Sequence, residues 1–147
     1  MIPAVASATA DVRVLQVSDY DGIEKRVRER LANQLIPETR VEMEFERRRP
    51  PLQMSPAAQA LARHAQTVYA ELGRELTIAT VAEGGGTDAA FAGLSGKSPA
   101  IERFGVRGFG AHSNDSEYVL IDSIEPRLYL LARMIMDVSR GQDRARP

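Results

Sequence analysis

The sequence has 147 residues, with 19 Lys and Arg against 20 Asp and Glu, two His, no Cys and 44% hydrophobic residues. These values are typical of one globular unit whose core is large enough to fold without disulfides or a structural metal. The absence of Cys excludes a disulfide framework, a thiolate zinc site and a cysteine nucleophile. The net charge of −1 provides no general attraction for nucleic acid or an anionic membrane, so neither is an expected partner.

No apolar run approaches the roughly 20 residues that a membrane-spanning helix needs. The small, apolar stretch from Met1 to Ala10 has no basic start and is interrupted by Pro3, so it does not predict a signal peptide. The chain is therefore expected to be soluble, and the sequence does not fix its compartment.

Hydrophobic spacing predicts a β-α-β order for residues 1–50. Alternation of apolar and polar residues indicates one strand over 8–15 and a second over 41–46. Between them, apolar residues four apart predict a helix that begins near Ser18 and stops before Pro37. The predicted apolar faces consist of Val41, Met43 and Phe45 on the second strand and Ile23, Val27, Leu31 and Leu35 on the helix.

The run Arg49, Pro50, Pro51 is a candidate boundary, after which helix and strand continue to alternate. A helix capped by Ser55 is predicted to run to Gly73, and strands are predicted over 76–81 and 99–104. A short helix after Thr87 and a last helix after Ser123 complete the pattern, which favours an α/β fold. The residues predicted to face the core are Leu61, Ala65, Val68 and Leu72 on the first of these helices and Leu128, Leu131, Ile135 and Val138 on the last.

Two basic or glycine-rich segments are candidate anion sites. Gly84–Gly86, followed by Thr87, could present backbone N–H groups to a carboxylate or phosphate, but on spacing alone a tight turn with a Thr cap is favoured. Arg47–Arg49 could clamp an anion through their guanidinium groups, although three basic residues at a strand end are more often solvated. A P-loop is excluded, because Phe91 stands where that motif requires glycine.

The two histidines differ in their surroundings. His112 lies in a glycine-rich loop, where a metal ligand or general base is commonly presented. His64 lies on the flank of an Ala-rich helix beside its apolar stripe, which favours a structural role. Residue patterns alone therefore do not define a complete active site.

Several of these segments, taken in order, resemble those of glutamate carboxypeptidases of the carboxypeptidase G type. The similar segments are Gly84 to Phe91, Leu94 to Lys97, Gly108 to Ser113 and Glu117 to Val119. The similarity extends back through Arg49 and Pro50 to Ile2, so it covers almost the whole chain. Desuccinylases of the same family have an arginine soon after the glycine triplet, and its absence here favours the glutamate carboxypeptidase branch.

The resemblance implies a zinc metallopeptidase of the aminoacylase and carboxypeptidase family, with two zinc ions and a substrate that ends in a carboxylate. It implies an α/β catalytic domain interrupted by a ferredoxin-like lid that dimerises, so a homo-oligomer is expected. The chain resembles only the C-terminal part of the proteins in this family. By that match, residues 1–50 are the second β-α-β half of the lid, and residues 51–147 are the C-terminal part of the catalytic domain.

Site residues are carried over from the resemblance position by position. His112 matches a zinc ligand, Arg49 matches a lid arginine that pairs with the substrate carboxylate, and Gly86 matches a loop glycine near that carboxylate. The family's other four zinc ligands and its general-base glutamate precede the matched part. The chain is therefore expected to be inactive alone, and no catalytic residue is assigned in it.

Three interpretations stay open at this point. The chain is the C-terminal portion of a hydrolase, one half of a two-chain enzyme, or a non-catalytic module that associates with itself. The last interpretation follows from the face of Val41, Met43 and Phe45, because half of a sheet would leave that face and its strand edges uncovered.

Overall fold

The structure is a computed structural model that describes residues 3–79 and 81–142. Its helices are α1 (Asp19–Ala32), α2 (Pro56–Ala70), the short α3 (Ala89–Gly93) and α4 (Ile124–Ser139), which follows a 3₁₀ turn at Ile121–Ser123. Two short strands, β1 (Gly108–Phe109) and β2 (Tyr118–Val119), pair antiparallel, with Gly108 opposite Val119. The described part of the chain is thus a mixed α/β structure in which helix dominates.

Local capping explains where α2 begins. Ser55 Oγ accepts a hydrogen bond from the backbone N–H of Ala58 at 3.1 Å, so the predicted start of α2 is confirmed. The predicted end at Gly73 is wrong, because α2 ends at Ala70; Gly73 lies beyond the helix and has a left-handed backbone with φ of +66°. Helix α1 begins at Asp19 as predicted but ends at Ala32, well before Pro37.

The apolar core lies between α2 and α4. Leu130 of α4 is fully buried, and Met134 one turn later is 5% exposed. These side chains pack against the buried residues of α2 that belong to the same cluster, Leu61, Ala65, Val68 and Tyr69. The predicted inward stripe of α2 is therefore confirmed at its first three positions and wrong at Leu72, which lies beyond the end of the helix.

A polar network links the same two helices beside the apolar core. His64 Nε2 lies 2.9 Å from Asp137 Oδ2, and the Asp137 side chain is only 3% exposed. The Arg133 guanidinium donates to Asp137 and, at 3.0 Å, to Glu71. The Tyr129 hydroxyl donates to the other oxygen of Glu71 at 2.6 Å. His64 therefore has the structural role that its position on the helix flank predicts.

The predicted inward face of α4 is wrong. Leu128 is 64% exposed, Leu131 44% and Ile135 62%, and Val138 is exposed as well. The buried positions of the helix are instead Pro126, Leu130, Met134 and Asp137. Both sides of α4 are rich in aliphatic residues, so hydrophobic periodicity alone could not select between them. The buried carboxylate of Asp137 marks the inward side.

The predicted strands over 8–15, 41–46 and 99–104 are also wrong, because none of them forms a ladder within 3–79 and 81–142. The fourth predicted strand, over 76–81, forms no ladder at positions 76–79 and 81 either, and its position 80 lies outside the described residues. Alternate burial is nevertheless kept: the partly buried positions include Val12 and Val14, Met43 and Phe45, and Leu76 and Ile78. Alternation specifies a buried face, whereas a strand also needs a neighbouring backbone to bond.

Helix α1 covers part of the second alternating segment. Tyr20, 6% exposed, meets the Phe45 ring edge to face with 6.1 Å between centroids. Val41, at the other end of that face, stays 48% exposed. Helix α1 thus covers the Phe45 end of the face on which self-association was predicted and leaves Val41 exposed.

None of the described helices combines the length and the apolar character that crossing a membrane requires.

Two substitutions in α4 test which side of this helix faces the core. Leu130→Ala removes a fully buried side chain and should lower the free energy of unfolding by about 2–5 kcal/mol. Leu128→Ala removes an exposed side chain and should stay within about 0.5 kcal/mol of wild type. Urea unfolding followed by circular dichroism measures both. A larger loss for Leu128→Ala would reverse the orientation described above.

The network also predicts a pH dependence. Hydrogen bonds from Tyr129 and Arg133 hold the pKa of Glu71 below its ordinary value of 4.5. A carboxyl with a lowered folded-state pKa adds stability that is present above its unfolded value and is lost as pH falls through the folded value. Tyr129→Phe should therefore lower the Tm more at pH 7 than at pH 3. Tyr118→Phe, on β2, is the matched control, and an equal loss of Tm at both pH values would contradict the role of this bond.

Candidate functional site

Two arginines from the first 50 residues reach the loop at Gly84–Gly86. Arg13 Nη1 donates a hydrogen bond to the carbonyl oxygen of Gly84. Arg49 lies directly over Gly86, because a Cβ added to that glycine would be 2.6 Å from Arg49 Cδ and 3.3 Å from Nη1. The φ angles of the three loop glycines are not positive, so a left-handed turn does not explain them. A side chain at position 86 would instead require the arginine side chain to move aside.

The backbone and the side chain of Arg49 interact with different residues. Its carbonyl oxygen accepts a hydrogen bond from the Tyr20 hydroxyl at 3.1 Å, which fixes this residue to α1. Its guanidinium lies 3.5 Å from Asp88 Oδ1, and the Arg49 side chain is 55% exposed. The result is an anchored, solvent-accessible cation beside the glycine loop, partly balanced by one exposed carboxylate.

Arg13 is a contact of this loop that sequence reasoning missed. It also pairs with Asp11 at 2.9 Å. The hydrogen bond to Gly84 joins positions 71 residues apart. No local pattern signals a contact over that separation, and Arg13 looks like any polar residue on the exposed side of an alternating segment.

The other members of the Arg47–Arg49 run have different partners. Arg47 pairs with Asp21 at 2.7 Å and with Glu24 at 3.1 Å, and its guanidinium lies 5.9 Å from the Tyr20 ring centre. Hydrogen bonds from Arg28 and then Arg47 lower the pKa of Glu24. Arg48 pairs with Glu46. The run therefore does not act as one anion clamp, and Arg49 is the member that reaches the glycine loop.

The segment after the glycines forms a helix of one turn. Thr87 Oγ1 accepts a hydrogen bond from the Ala89 N–H at 3.2 Å, but the predicted Thr cap is one position off, because the N-cap residue of α3 is Asp88. Ala90 is 2% exposed and anchors α3. A helix this short adds little dipole, so the charge offered to an anion at this loop comes from arginine side chains.

His112 lies in the loop between β1 and β2, whose flanking rings Phe109 and Tyr118 stack at 5.4 Å. Gly110 has a φ of +67° and lies against the backbone of Ser116, where a side chain would not fit. The Ser113 N–H closes the turn onto the Gly110 carbonyl at 2.8 Å. His112 itself is exposed and has a φ of +70°, so a tight backbone presents its ring to solvent.

The described residues do not hold a metal ion by themselves. Within 3–79 and 81–142, no three His, Asp or Glu side chains group closely enough to bind one. Over the same ranges, no hydrogen bond or ion pair joins His112 to Arg49 or to the glycine loop. The structure thus brings Arg49 and Gly86 together and leaves His112 apart from that contact network.

The sequence of the chain is similar to those of known peptidases. The profile of peptidase family M20/M25/M40 matches residues 3–137. Carboxypeptidase G2 of Pseudomonas sp. (strain RS-16) is 42% identical over 142 residues, which are 97% of this chain and 34% of carboxypeptidase G2. The chain thus spans about a third of the length of that relative. Peptidases of the M20 family are generally zinc-dependent. Since the family profile covers most of its length, the chain belongs to peptidase family M20/M25/M40.

Proposed function

We propose that the chain is the C-terminal portion of a zinc-dependent carboxypeptidase that releases C-terminal glutamate, or a similar residue, from acyl or peptidyl donors. The observation that carries the proposal is the contact of Arg49 with the glycine loop at Gly86. These are the two residues for which the resemblance implies a place at the substrate carboxylate. Membership of the M20 family and the similarity to carboxypeptidase G2 support the same reaction class.

The chemistry of Arg49 suits recognition of a carboxylate. A planar guanidinium can donate two parallel hydrogen bonds to the two oxygens of a carboxylate. Its present partner Asp88 is 3.5 Å away and 91% exposed, so that pair is weak and easily exchanged. A substrate carboxylate arriving over Gly86 would take the place of Asp88 as the partner of Arg49.

In this proposal His112 is one ligand of a site for two zinc ions, and the remaining ligands come from outside the described residues. Zinc supplies the activation of water that peptide hydrolysis needs at neutral pH. One exposed imidazole does not retain zinc, since structural and catalytic sites use three or four protein ligands. The chain by itself is therefore proposed to be inactive.

The proposed division of the chain is a lid or dimerisation segment over 1–50 and a catalytic segment over 51–147. In this division helix α1 belongs to the first segment, and the α2–α4 core belongs to the second. The alternative functions are half of a two-chain enzyme and a non-catalytic module that forms homo-oligomers. The 48% exposure of Val41 is the feature that supports the second alternative.

Zinc content and activity test the proposal. After dialysis against metal-free buffer, the purified chain should contain much less than one zinc per chain and should release no glutamate from an N-acyl glutamate. Elemental analysis and a glutamate assay measure the two quantities. Stoichiometric zinc that resists dialysis, or zinc-dependent release of glutamate, would show that the chain assembles a working site without further protein.

Carboxylate recognition is tested with N-acetylglutamate and backbone amide NMR shifts. The wild-type chain should bind it weakly, in the mM range, with shifts centred on the glycine loop, because one exposed guanidinium carries most of the attraction. Arg49→Gln should remove the saturable shifts. Arg48→Gln is the matched control, since Arg48 pairs with Glu46. Titrations that are equal in both variants, or flat in the wild-type chain, would refute the role of Arg49.

A further inference from the structure

A cleft of about 480 Å³ lies where α2, α4 and the segment before β1 meet, and it is called the arginine cleft here. Arginines from three segments line it: Arg74 follows α2, Arg107 precedes β1, and Arg127 lies near the start of α4. The volume is within the roughly 300–1,000 Å³ of small-molecule sites. None of its described lining residues takes part in the contact between Arg49 and Gly86. The arginine cleft is therefore a second candidate site.

Arg127 is held in place on one side of the cleft. Its guanidinium lies 5.4 Å from the centre of the ring of Tyr69, a residue only 4% exposed. Its Nη1 donates a hydrogen bond to the carbonyl oxygen of Arg103 at 3.4 Å. Its Nε is buried and has no acceptor in the part of the chain that the structure describes. A buried donor without an acceptor costs free energy, and a ligand oxygen that reached this N–H would remove that cost.

The backbone of Arg107 is fixed from both sides. Its N–H donates to Ser123 Oγ at 2.9 Å, and its carbonyl oxygen accepts from the N–H of Leu120 at 2.8 Å. Ser123 is 3% exposed, and its hydroxyl donates to the carbonyl oxygen of Leu120 at 2.6 Å. The exposed side chains of Arg107 and Arg74 form no hydrogen bond or ion pair with other described residues. Both guanidinium groups are thus available to a ligand.

The lining side chains determine which ligand chemistry fits. Guanidinium groups only donate hydrogen bonds, and three of them suit the several oxygens of a phosphate group better than the two of one carboxylate. Glu75 and Asp122 also line the cleft, and neither pairs with its arginines. Ionised carboxylates only accept hydrogen bonds, so they need hydroxyl or ammonium donors from the ligand. The ligand must therefore carry an oxyanion at one end and donors at the other.

We propose that the arginine cleft binds a small hydroxylated phosphate ester. The three arginines hold the phosphate group, and the two carboxylates accept hydrogen bonds from the hydroxyl groups. Because Arg107 and Arg127 are already anchored, binding orders few groups of the protein, which favours affinity. The proposal goes beyond the proposed function and does not rest on it, since it uses neither zinc nor the carboxylate contact at Arg49.

The test titrates ribose 5-phosphate into the 147-residue chain by isothermal calorimetry. The wild-type chain should bind one equivalent with a Kd of about 1 mM or below, as expected for several charge-assisted hydrogen bonds. Arg107→Gln and Arg74→Gln should each weaken binding about tenfold, since each removes one charged donor group. Arg30→Gln, an exposed arginine on α1, is the control of equal charge change. All three variants should keep the wild-type Tm, because these side chains are exposed.

The choice of titrant separates the two halves of the site. Inorganic phosphate should bind about tenfold more weakly than the ester, and ribose alone should not bind measurably. Asp122→Asn, which weakens the acceptor for a hydroxyl group, should reduce the difference between ester and phosphate. Arg49→Gln should leave binding of the ester unchanged, which distinguishes this site from the proposed carboxylate site and its N-acetylglutamate test.

Four results would overturn the proposal. The first is no heat of binding with ribose 5-phosphate, and the second is equal binding by Arg107→Gln and Arg30→Gln. The third is inorganic phosphate that binds as tightly as the ester, which would leave the carboxylates without a role. The fourth is binding of free glutamate but not of the ester, which would make the cleft an amino-acid site.

Discussion

One buried carboxylate sets the arrangement of the core. The Asp137 side chain is 3% exposed, and a charge removed from water to that extent requires partners. His64 on α2 and Arg133 on the preceding turn of α4 provide them. Because these bonds have fixed directions, they determine the rotation of α4 about its own axis. That rotation places Leu130 in the core and leaves Leu128 and Ile135 exposed.

The features linked to function lie outside that core, on segments whose positions depend on long-range contacts. Arg49 reaches Gly86 because its carbonyl is tied to Tyr20 of α1, and Arg13 approaches the same loop from another segment. His112 belongs to a separate hairpin loop. The proposed carboxylate-binding group and the proposed metal ligand thus occupy different elements. Their relative placement in a complete peptidase would depend on the whole structure into which this chain fits.

Sequence reasoning succeeded where the determining interactions are local. The cap at Ser55 and the hydrogen bond from the Ala89 N–H to Thr87 Oγ1 each involve neighbours within a few residues. It failed for the strands, since pairing depends on a distant backbone, and for the face of α4, since aliphatic residues occupy both sides. The approach of Arg49 to Gly86 was suggested by resemblance, whereas the contact of Arg13 with Gly84 had no local signal.

In the hairpin loop, one residue is required for the backbone shape and another carries the chemical group. Gly110 and His112 both have left-handed backbones, but they differ in what their side chains may be. Gly110 is irreplaceable on steric grounds, because the Ser116 backbone fills the space a side chain would need. Position 112 accepts residues that tolerate positive φ, such as Asn, and disfavours β-branched ones. A descendant of this chain could therefore lose its imidazole through a single substitution and still keep the hairpin intact.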